Sequence, residues 1–211
     1  LISAARFEGL PVSVDTCPHF LSMTADALLS KGSLAKTQPA LQEQDDVDRL
    51  WQGLASGEVT SVASGHDPAV WPDEKRTGSI WDDRPGFPAT ELLLPFLLSE
   101  GVGRGRLTLQ RLVELLALEP ARLLGVDDRK GRLRAGADAD LVLVDDLAEW
   151  TVRASELHCL NRFTPFDGVT FRAQVLATYV RGRCVFQREP DGSEMFAPRG
   201  GGSLLTPRQA R

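Results

Sequence analysis

Histidine, cysteine and carboxylate side chains are what could hold a metal or move a proton, and histidine and cysteine are sparse here. Three histidines occur in 211 residues: His19, His66 and His158. The cysteines Cys17, Cys159 and Cys184 lack metal-ligand spacing, and reduced thiols are the simpler account of them. His19 follows Pro18 at a strand end, and a metal needs convergent partners. A hydrogen-bonded structural histidine is the plainer reading there. His66 and Asp67 stand together before Pro68. Residues i and i+2 of a strand share a face, so a rearranged loop would let Asp67 offer a carboxylate beside position 65; loop capping is the rival role. His66, just after the strand, is most simply a hydrogen-bonded loop histidine or one that supports a site from behind. His158, close to Asn161 and Arg162, falls in a connecting segment where a structural role is favoured.

The elements around these residues follow from pattern. Ile2 to Phe7 reads as helix, closed at Gly9, and Pro11 to Asp15 alternates as a short strand should. Gln44 to Ala55 places Val47, Leu50, Trp51 and Leu54 at helical spacing, closes at Gly57 and delivers a strand over Val59 to Ala63. Two such helix-to-strand units point to a parallel barrel or doubly wound sheet. Residues 64–89 have no period and four prolines, the kind of long loop in which α/β barrels keep their chemistry. Helices are predicted over Thr90 to Ser99 and over Thr108 to Leu118, the latter capped by Thr108. Past Asp127, Gly131 to Asp145 reads as two strands split by Gly136. Val175 to Val180 and Cys184 to Phe186 flank a tight turn at Arg181-Gly182-Arg183. Gln187 to Arg211 is polar and reads as a disordered tail.

Composition bounds the function. The net charge of −5 and pI near 5.3 give no reason to bind nucleic acid or an anionic membrane. No apolar run reaches the roughly 18 residues of a membrane span; the strongest, Leu92 to Leu98, contains Pro95. The start, without Met or a secretory pattern, reads as that of a truncated cytoplasmic protein.

Several stretches, in order, resemble the cyclic amidohydrolases, the group of dihydroorotase, dihydropyrimidinase (hydantoinase) and allantoinase. They are Asp15-Thr16-Cys17-Pro18-His19-Phe20-Leu21, Lys36-Thr37-Gln38-Pro39-Ala40-Leu41 and Val62-Ala63-Ser64-Gly65-His66-Asp67-Pro68. Asp73-Glu74-Lys75, Pro85-Gly86-Phe87-Pro88-Ala89-Thr90-Glu91, Glu119-Pro120-Ala121-Arg122 and Gly136-Ala137-Asp138-Ala139-Asp140-Leu141 continue the series. The ending from Leu157-His158 to Pro165-Phe166 resembles allantoinase, whereas Ile80 to Glu91 resembles the hydantoinases.

The resemblance implies an α/β fold: the C-terminal part of a (β/α)8 TIM-type barrel over 1–126, part of a small β-sandwich over 127–190 and a polar tail over 191–211. It implies hydrolysis of a ring amide C–N bond in a small cyclic amide or ureide by a homo-oligomer. A binuclear zinc centre would activate the attacking hydroxide. The substrate-binding candidates are Gln38, Pro39 and Gly86; the metal candidates are His66 and Asp67. The family's catalytic aspartate falls at Gly65, which can neither coordinate a cation nor take a proton. Gln38, Ala40, Gln42 and Ala69 also depart from the pattern. These departures motivate an alternative, a catalytically inactive scaffold or partner subunit, and imply that this chain alone is inactive.

Overall fold

The polypeptide alternates helix and strand at first and then turns to antiparallel sheet. The computed structural model describes residues 1–207. Helix α1 (Ile2–Phe7) leads to strand β1 (Asp15–Thr16); α2 (Ala27–Lys31) and α3 (Gln44–Ser56) precede β2 (Ser61–Val62). Strands β1 and β2 pair in parallel, Asp15 opposite Ser61 and Thr16 opposite Val62. Both are shorter than their spacing predicts. The Thr60 hydroxyl donates to Val14 O at 2.8 Å and accepts from Val14 N at 3.0 Å, standing in for ladder bonds. Arg6 Nε takes Val12 O at 2.9 Å.

Helix α3 forms where the pattern places it. Glu43 and Asp46 make a capping box at its start, and Gly57, at φ 90°, closes it in the left-handed region that glycine adopts without penalty. Val47, Trp51 and Leu54 face inward, and the Trp51 indole N–H donates to Leu21 O at 2.8 Å. The next helical run is compound. A 3-10 turn at Thr90–Leu92 passes into α4 (Leu93–Phe96) and then into wider π turns over Leu97–Val102. After Thr108, α5 (Leu109–Val113), π turns over Glu114–Leu118 and α6 (Glu119–Leu123) follow one another. Pro120 has no N–H to give to the preceding turn, and that turn is the widened one.

The second sheet contains β3 (Leu141–Thr151), β4 (Thr170–Val180), β5 (Arg183–Arg188) and β6 (Glu194–Phe196), antiparallel in that order. Two expectations are corrected here. Gly131 to Asp145 is not two strands around Gly136. Lys130 sits between Asp138 and Asp140, and Arg129 also pairs with Asp138, so this segment folds into turns until Leu141. Nor is the chain structureless from 191. Glu194–Phe196 adds to the sheet because Phe196 stacks on Phe186, ring centroids 5.2 Å apart. The remainder of that expected tail, residues 208–211, lies outside the described residues.

One aromatic row joins the two parts. Phe87, Phe96, Phe166 and Phe171 are all buried, and the Phe166 centroid lies about 6 Å from each of the other three, the tilted and edge-to-face spacing aromatic rings prefer. Among the described residues no helix is long and apolar enough to cross a membrane.

Candidate active-site mouth

The loops leaving β1 and β2 converge. His66 forms a parallel bridge with Phe87, and Asp67 N–H donates to Phe87 O at 3.2 Å. Gly86 N–H donates to Lys36 O at 2.8 Å. Three motif loops, 36–42, 64–68 and 85–91, therefore lie edge to edge. Gly86 is buried, and a Cβ there would stand 2.5 Å from Asp67 O and 2.7 Å from Asp67 Cβ. It is a contact glycine, required because one backbone runs against another. Gln38 and Pro39 are exposed on the rim.

His66 is exposed, and its Nδ1 accepts from Ala89 N–H at 3.1 Å and Thr90 N–H at 3.3 Å. A neutral imidazole whose Nδ1 accepts carries its proton on Nε2. The ring therefore presents a donor outward. Asp67 is paired with Arg84 at 3.5 Å, which also reaches Glu74 at 3.5 Å.

At position 65 the geometry is decisive. Gly65 adopts φ +62°, and a Cβ there would overlap the His19 ring and lie 3.0 Å from Cys17 Sγ. His19 is buried, and its Nδ1 has no hydrogen-bond partner among the described residues. Burial pulls its pKa down from 6.5 to about 4, so the ring is neutral. Burial, with Asp15 adding to it, pushes the Cys17 thiol up to about 11, far from a reactive thiolate.

Two lysines that the residue-by-residue reading gave no role organise the rim. Lys36 Nζ donates to the carbonyls of Ile80 at 2.6 Å, Trp81 at 3.2 Å and Asp83 at 2.5 Å. Lys75 is 1% exposed, donates to Ser33 O at 2.8 Å and lies 5.7 Å from the centre of the Phe163 ring. Burial lowers its pKa from 10.5 to about 8, with Asp83 pulling the other way. The signal was in the sequence: both lysines sit inside the quoted motifs.

Known proteins match this arrangement in sequence and in structure. A model of the amidohydrolase family matches residues 100–186. The chain is 39% identical over 188 residues to an allantoinase of Rubrobacter xylanophilus, covering 89% of this chain and 41% of that one. It is 33% identical over 209 residues to an L-hydantoinase of Paenarthrobacter aurescens, covering 99% and 45%. The solved L-hydantoinase (dihydropyrimidinase) of Arthrobacter aurescens superposes with a TM-score of 0.84 at 34% identity, over 87% of this chain and 41% of that one. Over most of its length the chain is similar to members of the amidohydrolase family. It spans less than half the length of the relatives it matches.

The resemblance implies a metal, but the mouth residues do not fit one. Among the described residues no group of three or more His, Cys, Asp or Glu side chains is close enough to hold an ion. His66 offers no free lone pair: Nδ1 is engaged by two N–H groups and Nε2 bears the proton. Asp67 faces Arg84. Gly65 supplies nothing, and His19 fills the space a side chain there would need. What the mouth offers a ligand is hydrogen-bond donors and a shaped rim.

Proposed function

We propose that this chain supplies the substrate-facing loop wall of a cyclic amidohydrolase that hydrolyses a ring amide C–N bond in a small cyclic amide or ureide of the allantoin or hydantoin type. In this reading α1–β1 and α3–β2 are units of a (β/α)8 barrel within residues 1–126, and β3–β5 belong to a small β-sandwich within 127–190. The convergence of loops 36–42, 64–68 and 85–91 on one mouth carries the proposal, because ring substrates are held where loops meet at the ends of parallel strands. Gln38 and Pro39 on the rim and the outward N–H of His66 are the groups that would grip the ring. Gly86 would act through contact with the Asp67 loop. Any binuclear zinc centre of the whole protein would draw its ligands from outside these loops. A cytoplasmic homo-oligomer remains the natural setting.

A second reading is a non-catalytic amidohydrolase-like scaffold, favoured by the packing of His19 and Cys17 against Gly65. Ring-opening assays on allantoin, hydantoin and dihydroorotate, with metal analysis of the same whole protein, separate the two. Turnover with stoichiometric metal supports the hydrolase and sinks the scaffold. A folded protein that opens none of the three rings overturns the hydrolase reading.

A further inference from the structure

His158 links parts of the fold that are remote in sequence. Its Nδ1 lies 2.7 Å from Glu91 Oε2, and its Nε2 lies 2.7 Å from Glu194 Oε2. Its backbone N–H donates to the other Glu91 oxygen at 2.7 Å. Glu194 is anchored in turn by Arg188 at 2.7 Å, and Phe196 packs edge-on to the imidazole, centroids 5.0 Å apart. With a carboxylate oxygen at each ring nitrogen both nitrogens must donate, and only the imidazolium has two N–H groups.

Glu91 belongs to the Thr90–Leu92 turn. The N–H groups of Ala89 and Thr90, just before it, are the donors that orient the His66 ring. A continuous set of contacts thus runs from β6 through His158 and the turn to the mouth. We propose that His158 is a positioning residue: its charged ring clamps the Thr90–Leu92 turn to β6 and, through that turn, fixes the imidazole of His66. When His158 loses its proton it keeps one N–H, one carboxylate faces a lone pair, and the clamp loosens.

The charged and titratable groups around His158 are Glu91 from the turn, Glu194 from β6, Arg188 from β5, and Cys159 and Arg162 from its own segment. The hydrogen bond to Glu91 is the largest influence on its pKa. Together with Glu194 it holds that pKa above the ordinary 6.5, against the opposing effect of burial. The clamp is therefore complete below pH 6.5 and is lost as pH rises through the raised value.

The test is a pH titration of the intact chain by nitrogen-15 NMR of the histidine rings and the Thr90 amide, and it does not depend on ring hydrolysis. His158 is expected to titrate above 6.5. The His66 ring and the Thr90 amide are expected to show a secondary shift with the same midpoint, separate from any titration of His66 itself. In His158→Gln that secondary shift disappears. In Glu194→Gln the His158 midpoint falls back toward 6.5, which keeps the test open should His158→Gln fail to fold. His158 titrating at or below 6.5, or His66 and Thr90 failing to follow it, overturns the proposal.

Discussion

At residue 65 the glycine is legible in the sequence, but what a side chain there would meet is not. The motif around Ser64-Gly65-His66 announces a glycine. Only the fold shows that His19, 46 positions earlier, occupies the space beside it. Gly65→Ala is expected to cost about 2 kcal/mol or more, combining positive φ with overpacking. Urea unfolding measures it, and a double-mutant cycle with His19→Ala should show favourable coupling of about 1 kcal/mol; simple additivity would remove the clash from the explanation. Lys75 gives a second prediction. Its folded pKa of about 8 lies below the ordinary 10.5, so between those values the unfolded chain holds a proton that the folded chain has lost. Stability should therefore rise with pH across that window. Unfolding of wild type and Lys75→Met at pH 8 and 10 checks the sign: wild type should gain relative to the variant. Its place in the Asp73-Glu74-Lys75 motif was legible in the sequence, but its burial was visible only in the fold.

Among the elements, those specified by local chemistry were legible. Helix α3 has its periodic apolar face, its capping box and its terminal glycine, and it forms within a residue of the predicted span. Thr108 caps the helix predicted to follow it, its Oγ1 accepting from Arg111 N–H at 3.1 Å. Thr108→Ala is expected to lower stability by about 1 kcal/mol, read by thermal or urea unfolding, with serine at the same position restoring most of it. Elements fixed by remote partners were less legible. The strands expected at Pro11 to Asp15 and Val59 to Ala63 are trimmed where the Thr60 hydroxyl bonds Val14 and the Arg6 guanidinium donates to Val12 O. Gly131 to Asp140 is turned by Lys130 and Arg129 holding carboxylates eight to ten positions on. Strand β6 exists because Phe196 has Phe186 to lie against. Alternation alone carries none of that information.

For the molecule as a whole, the resemblance was legible from the order of the motifs, three of which place loops that the fold then brings to the same mouth. Activity was not, since the chain spans less than half the length of the relatives it matches. The chain by itself is expected to bind no stoichiometric zinc and to open no ring at a measurable rate, and Gly65→Asp alone is expected to change neither. Metal analysis and a ring-opening assay of both proteins check this; turnover by the single variant would contradict it. The contact between His19 and Gly65 also links these two positions. A side chain enters position 65 in this fold only as the imidazole at 19 gives way, so a variant at 65 reports on both positions at once.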